Sequence, residues 1–208
     1  MTLHRASLLL ALSLLAASVA RAEDATALRL DTKSFLFARW ASRNASALYA
    51  GYGWGSAGVF FAMVENPRTG YREVIGGAMS RLARGGQSLT VGLAAADASD
   101  SDYLQLYLVP SLSHGAWSLE GTLETYEPLQ SAGIRQLELN PLTLLRRVGR
   151  RAGVGASYVL SLAPGAAARH RGGPALRVEV PRGALQLELL AGLQNAKDEL
   201  RIGFQASF

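Results

Sequence analysis

His114, Ser118 and Glu120 come nearest to a hydrolytic set, bringing an imidazole, a hydroxyl and a carboxylate into one short stretch. A serine nucleophile needs a base within hydrogen-bond reach and a third group that holds the base. Ser118 and Glu120 are two positions apart and share a face on a strand, whereas His114 sits in the turn composition Ser113-His114-Gly115. Serine and glutamate are ordinary filling on a polar strand face. A lipid-modifying enzyme is therefore kept as an alternative, and the chain is expected not to be an enzyme.

Metal and cofactor chemistry has less material. Beyond His4 the histidines are His114 and His170, and cysteine is absent, so neither a metal site nor a cofactor is expected. Gly53-Trp54-Gly55-Ser56-Ala57-Gly58 matches the glycine string of a dinucleotide loop. Such a loop works only when a helix follows and meets the pyrophosphate, and no helical period follows here. A glycine-rich hairpin or bend accounts for it. Trp54 also occupies the first glycine position of a nucleophile elbow around Ser56.

The remaining charges are arranged by parity. Glu120, Glu124, Glu138, Arg177, Glu179, Glu188 and Arg201 fall on one face of their segments, while Leu119, Leu123, Leu137, Leu139, Leu176, Val178, Leu185, Leu187 and Leu189 fall on the other. Successive strand side chains alternate faces, so this is the pattern of strands with one charged and one aliphatic wall. Arg135 joins the charged set ambiguously, because Leu137 and Leu139 share its parity.

The elements that must carry these faces are segments of about nine to twelve residues with period-two patterning, separated by Gly, Pro, Asn, Asp and Ser. Strands are predicted at Lys33–Ser42, Ala47–Trp54, Val59–Val64, Tyr71–Leu82, Gln87–Ala96 and Tyr103–Leu112. Six more follow at Ala116–Tyr126, Ile134–Leu145, Val154–Ala163, Leu176–Arg182, Ala184–Gln194 and Glu199–Phe208. About twelve strands result, with ten as the alternative. Glycines 51, 53, 55 and 58 blur the early boundaries, where two strands could be one bent strand.

The chain opens with His4 and Arg5, an apolar run from Leu8 to Ala17, and Ala20-Arg21-Ala22 before Glu23. That is a secretory signal peptide over residues 1–22, leaving one domain over residues 23–208. Removing Arg5 and Arg21 leaves 19 basic against 16 acidic residues, an excess too small to imply nucleic acid. No later run reaches eighteen apolar residues, so a membrane would be crossed by strands.

A soluble barrel would turn the leucines inward, making it a periplasmic ligand carrier. Yet a barrel of about twelve strands is too wide for aliphatic side chains to fill. A charge facing lipid costs roughly 2–4 kcal/mol at mid-bilayer, which explains the sorting if the leucines face hydrocarbon. The last segment adds an independent sign. Arg201-Ile202-Gly203-Phe204-Gln205-Ala206-Ser207-Phe208 resembles the carboxy-terminal signature strand of bacterial outer-membrane β-barrel proteins, with Gly203, Phe204, Ala206 and Phe208 carrying the pattern. The resemblance implies an all-β closed antiparallel transmembrane barrel, inserted into the outer membrane by the barrel-assembly machinery, with lipid and lipopolysaccharide as its surroundings.

An even strand number then puts both termini and the tight turns in the periplasm. The turn from Arg146 to Gly153 is the expected exception, and its Arg146, Arg147, Arg150 and Arg151 could contact lipid phosphate. Arg169-His170-Arg171 is expected on the longest outer loop, from Pro164 to Gly173. Trp40, Trp54, Trp117, Tyr103, Tyr126 and Tyr158 are candidates for aromatic girdles. The favoured function is a narrow channel or export conduit for small polar or anionic solutes, with the charged face lining the lumen. The rival is a non-conducting structural barrel with an unknown envelope partner.

Overall fold

The computed structural model describes residues 30–131 and 133–208; the expected signal peptide and the start at Glu23 lie outside them. Among the described residues, twelve strands form one closed antiparallel barrel. They are β1 (Leu30–Ala41), β2 (Ser46–Gly55), β3 (Ala57–Asn66), β4 (Tyr71–Arg84), β5 (Gln87–Ala98) and β6 (Asp102–His114). The chain continues through β7 (Trp117–Pro128), β8 (Gln136–Val148), β9 (Ala152–Leu162), β10 (Arg169–Val180), β11 (Gly183–Gln194) and β12 (Glu199–Ser207). Each strand pairs with its sequence neighbours, and β12 returns to β1, so no ladder edge is left open. The final residue takes part in this closure: Phe208 N–H donates to Ser34 O at 2.9 Å, and Ser34 N–H donates back at 3.2 Å.

Strand lengths run from nine residues in β12 to fourteen in β4, enough for a tilted strand to cross hydrocarbon. The connections alternate in length. At one end, the turn end, they are Ser56, Gly85-Gly86, Gly115-Ala116, Gly149-Arg150-Arg151 and Pro181-Arg182. The loop end is formed by 42–45, 67–70, 99–101, 129–135, 163–168 and 195–198. Tight hairpins need backbone with positive φ, which Gly55 and Gly115 supply and which Arg182 adopts at 65° without being glycine.

Two boundaries differ from the sequence reading. The expected long turn Arg146–Gly153 contracts to three residues, because Arg146 and Arg147 remain in β8 opposite Val154 and Gly153. The expected loop Pro164–Gly173 likewise shortens, because β10 begins at Arg169 and runs through Gly172-Gly173-Pro174. These residues look like breakers, but Gly173 is required by close approach. A Cβ there would lie 1.9 Å from Leu189 O.

One irregularity shapes the interior. The β7–β8 register changes between Leu123↔Leu139 and Gly121↔Leu142, and the β8–β9 register changes at the same place. β8 therefore carries one extra residue at Asn140-Pro141, a bulge on which proline leaves no ladder donor unpaired. Asn140 and Pro141 both face the interior, and parity is reversed beyond them, so Thr143 and Leu145 are buried while Leu144 is exposed.

Candidate functional site in the barrel interior

The two walls are oriented with the charges inside. Glu188 and Arg201 are 3% and 2% exposed, whereas Ile202 and Leu189 are 47% and 51% exposed. Leu48, Val59, Phe61, Met63, Leu144, Val154 and Leu185 are likewise exposed around the circumference. A continuous aliphatic outer wall over a polar, buried interior inverts the soluble arrangement.

The interior is itself two-sided. From β2 to β6 the inward residues are mainly apolar: Ala62, Ile75, Ala94, Ala96, Tyr103 and Tyr107 form one buried cluster, with Tyr49 and Phe60 packed against it. This differs from the expectation that charges alone would line the lumen. It also removes Tyr103 and Tyr126 from the girdle set, since both pack inside and their rings meet edge to face at 6.2 Å. Trp40, Trp54 and Trp117 are about half exposed, near strand ends. Tyr158 instead bonds His170.

From β7 round to β1 the interior is a polar network. Ser157 and Gln186 donate to Glu188 at 2.7 and 2.8 Å, and Thr143 and Ser157 share a 2.7 Å bond. Glu138 accepts from Ser161 at 2.9 Å, and Glu124 accepts from Tyr126 at 2.6 Å. Glu199, opening β12, pairs with Arg171 and Arg201 at 3.3 Å each. On the far wall Gln105, fully buried, links Glu73 to Tyr107. Bringing these charges out of water costs several kcal/mol each, offset by the hydrogen bonds each carboxylate accepts.

The bulge gives this network its reach. Arg201, on β12, donates to Asn140 Oδ1 at 2.6 Å, and Arg39, on β1, donates to the same oxygen at 3.3 Å. β8 is thus tied across the lumen to the adjacent pair β12 and β1. Arg39 and Arg201 each bury an Nε without a hydrogen-bond acceptor. That of Arg201 lies 3.3 Å from Glu199, while Arg39 makes no ion pair among the described residues.

Beneath the bridge lies a cavity of about 320 Å³, lined by Arg39, Asn140 and Arg201 and by aromatic side chains of the opposite wall. It shares Arg177, Ala184 and Gln205 with a second cavity of about 430 Å³ reaching Arg182 and Phe208, so it opens toward the turn end. At that mouth Arg177 bonds both Glu120 and Glu179 at 2.8 Å. In the loop half Glu73, Gln105, Arg171 and Glu199 are all buried.

Of the residues singled out earlier, Glu120, Glu124, Arg177, Glu188 and Arg201 line the cavity, Glu138 bonds into the network above it, and Glu179 stands at the mouth. Arg135 does not belong with them. It lies outside the strands, paired with Glu127 at 2.5 Å in full solvent. Arg150 and Arg151 lie in the turn after β8, Arg146 stands over the Trp117 ring at 5.9 Å, and Arg147 donates to Gly115 O at 3.3 Å. Arg169, His170 and Arg171 are strand residues rather than loop residues, with Arg171 buried against Glu199. Gly203 lies on the interior face, Phe204 and Phe208 are exposed, and Ala206 is buried between Gly183 and Leu36. His114 pairs with Trp117 and Ser118 with Ser113, so alternation turns imidazole and hydroxyl to opposite faces. Among the described residues, no group of His, Asp and Glu is placed to hold a metal.

Arg39, Asn140 and Glu199 are unmarked in the sequence, and Arg171 reads there as a loop residue. Glu199 shares parity with Arg201 and was open to the same rule. Arg39 was hidden because Phe35 to Trp40 is apolar on both faces. The signal for Asn140 is the proline after it, since a mid-strand proline marks a bulge.

The backbone is similar to that of a solved structure of KdgM porin in complex with disordered oligogalacturonate. The TM-score is 0.61 at 12% identity, covering 85% of this chain and 99% of that one. It is also similar to NanC porin, with a TM-score of 0.56 at 10% identity, covering 84% of this chain and 98% of that one. No family model matches the chain, and no curated protein matches it in sequence.

Proposed function

We propose that this barrel is a narrow outer-membrane channel for small polar or anionic solutes. The observation that carries the reading is the convergence of Arg39 and Arg201 on one oxygen of Asn140, inside a barrel with an aliphatic exterior. Donor accounting favours anions. The carboxylates of Glu120, Glu124 and Glu188 each accept a bond from a neighbour, whereas the Arg39 guanidinium has no carboxylate paired with it among the described residues. A passing anion meets a cationic group without a counter-charge; a passing cation meets carboxylates already engaged by donors. KdgM porin, with the same fold, was solved in complex with an oligogalacturonate, which is consistent with this assignment.

On the same reading the chain resides in the outer membrane, its turn end faces the periplasm, and the strand ending Gly203 to Phe208 directs it to the assembly machinery. Arg146, Arg150 and Arg151 then sit at the phosphate level, and no enzymatic role is assigned. Planar bilayers test the proposal. A small unitary conductance with a reversal potential favouring chloride in a potassium chloride gradient is expected, and no conductance under any condition refutes it. The buried loop half favours a second reading, a non-conducting barrel, which the same recording separates from the first.

A further inference from the structure

The cavity beneath the bridge carries a feature that a conduit for hydrated ions does not use. Phe37 and Tyr49 stand 5.9 Å apart, Tyr49 and Phe60 6.5 Å, and Phe60 and Tyr107 5.6 Å, making a ribbon of rings across β1, β2, β3 and β6. Phe35 and Met79 widen it toward the turn end. Phe35 lies flat on the wall because residue 51 is glycine: a Cβ there would meet the Phe35 ring at 2.1 Å. Hydrated ions gain nothing from such a surface, since leaving it wet forgoes the burial that aromatic side chains offer.

The opposite wall supplies the complementary chemistry. Asn140 Oδ1 accepts from two guanidinium groups at once, the position a carboxylate oxygen would take between them. The volume, about 320 Å³, lies at the lower end of the range for sites that take one small organic molecule. A sugar lays only its C–H face on such rings and leaves the hydroxyls around its edge in need of partners, and along this ribbon the Tyr107 hydroxyl already donates to Gln105. A flat apolar ring would leave no polar group unpaired there.

Resting on the channel reading, we propose that the solute is an aromatic monocarboxylate, its ring on the Phe37–Tyr49–Phe60 wall and its carboxylate between Arg39 and Arg201. It reaches the cavity through the mouth beside Arg177 and displaces the Asn140 carboxamide to pass.

The test uses the full-length mature barrel in planar bilayers, with benzoate, galacturonate or benzyl alcohol added on the turn-end side. Benzoate is expected to block chloride current at a concentration about tenfold below galacturonate, the difference one aromatic contact is worth, and benzyl alcohol should not block. Phe60→Ala should bring benzoate down to the galacturonate level. Because Phe60 belongs to the buried cluster, Met79→Ala at the cavity's edge provides a second variant, expected to weaken the block in the same sense. Equal or stronger block by galacturonate overturns the inference and leaves the channel reading standing. If the barrel carries no current, the channel reading falls. Equilibrium dialysis of labelled benzoate against the detergent-solubilised barrel then decides the inference alone: saturable binding lost in Arg39→Met supports it, and no binding overturns it.

Discussion

Asn140→Ala removes the single acceptor that ties β8 to β12 and β1. Its oxygen is 2.6 Å from Arg201 and 3.3 Å from Arg39, and its amide donates to Glu138 at 3.3 Å. A hydrogen bond to a charged group contributes about 1.5–3 kcal/mol, but contacts at 3.3 Å lie beyond the usual range and the cavity below admits water. The short bond therefore dominates, and the expected loss of stability is about 2 kcal/mol. With a urea slope of about 1–3 kcal/mol per molar, the unfolding midpoint in detergent should fall by roughly 1 M. The same truncation takes away the side chain that projects from the bulge into the lumen and releases two guanidinium groups. Unitary conductance should rise, and the reversal potential should move further toward chloride. A folded variant with unchanged conductance and reversal potential would show that the bridge is not the narrowest point, and the reasoning from it would fail.

Arg177→Glu puts a third carboxylate beside Glu120 and Glu179 at the mouth, so the reversal potential should shift toward potassium in the same recording. Gly173→Val would drive a side chain into Leu189 O; the loss should be at least about 3 kcal/mol, seen as failure to reach the compact, heat-modifiable band on a gel. Arg182→Gly relieves a positive φ of 65° in the Pro181-Arg182 turn while keeping the Ser207 N–H bond to its carbonyl, so the urea midpoint should rise by the equivalent of about 0.5–1 kcal/mol. Glu127→Gln breaks a fully solvated pair with Arg135, and the same unfolding curve should not move.

The strand count and the outward leucines were legible because hydrocarbon penalises every misplaced charge, which keeps period-two alternation clean over whole strands. Legibility failed where another constraint entered. Gly172-Gly173-Pro174 reads as a loop because its composition is that of a turn, yet the composition answers to Leu189 lying against the β10 backbone, a contact with no local signature. Tyr103 and Tyr126 read as girdle residues because an aromatic near a strand end suits both the interface and a packed interior, and their parity, which points inward, was the stronger clue. The first strands were obscured in a similar way. Phe35, Phe37 and Arg39 share the inward face, so the aromatic wall and one end of the bridge lie on a strand apolar on both sides.

That hidden half follows from the short loops. Among the described residues the longest connection is 129–135, so the narrowing seen here comes from the wall. Side chains alone reach across only where the wall moves inward or the partner is long. Arginine supplies the length from β1 and β12, and the Asn140-Pro141 bulge supplies the inward step from β8. The bulge also reverses parity, and this places Thr143 beside Ser157 and within 3.4 Å of Glu188. Had β8 run straight, position 143 would face hydrocarbon and Leu144 the lumen. One inserted residue therefore sets the height of the constriction and keeps the remainder of β8 compatible with both its solvents. Deleting Pro141 should accordingly disturb the pore and spare the barrel: Leu139, Asn140 and Leu142 then alternate regularly, and Leu142 onward keep their faces and partners. The inward step that carries Asn140 to the arginines is lost, so conductance should rise while the urea midpoint falls no further than in Asn140→Ala. Inserting one residue between Leu142 and Thr143 is the opposite case: it turns Thr143 and Leu145 outward and Leu144 inward, and that barrel should fold poorly, seen as loss of the compact band on a gel.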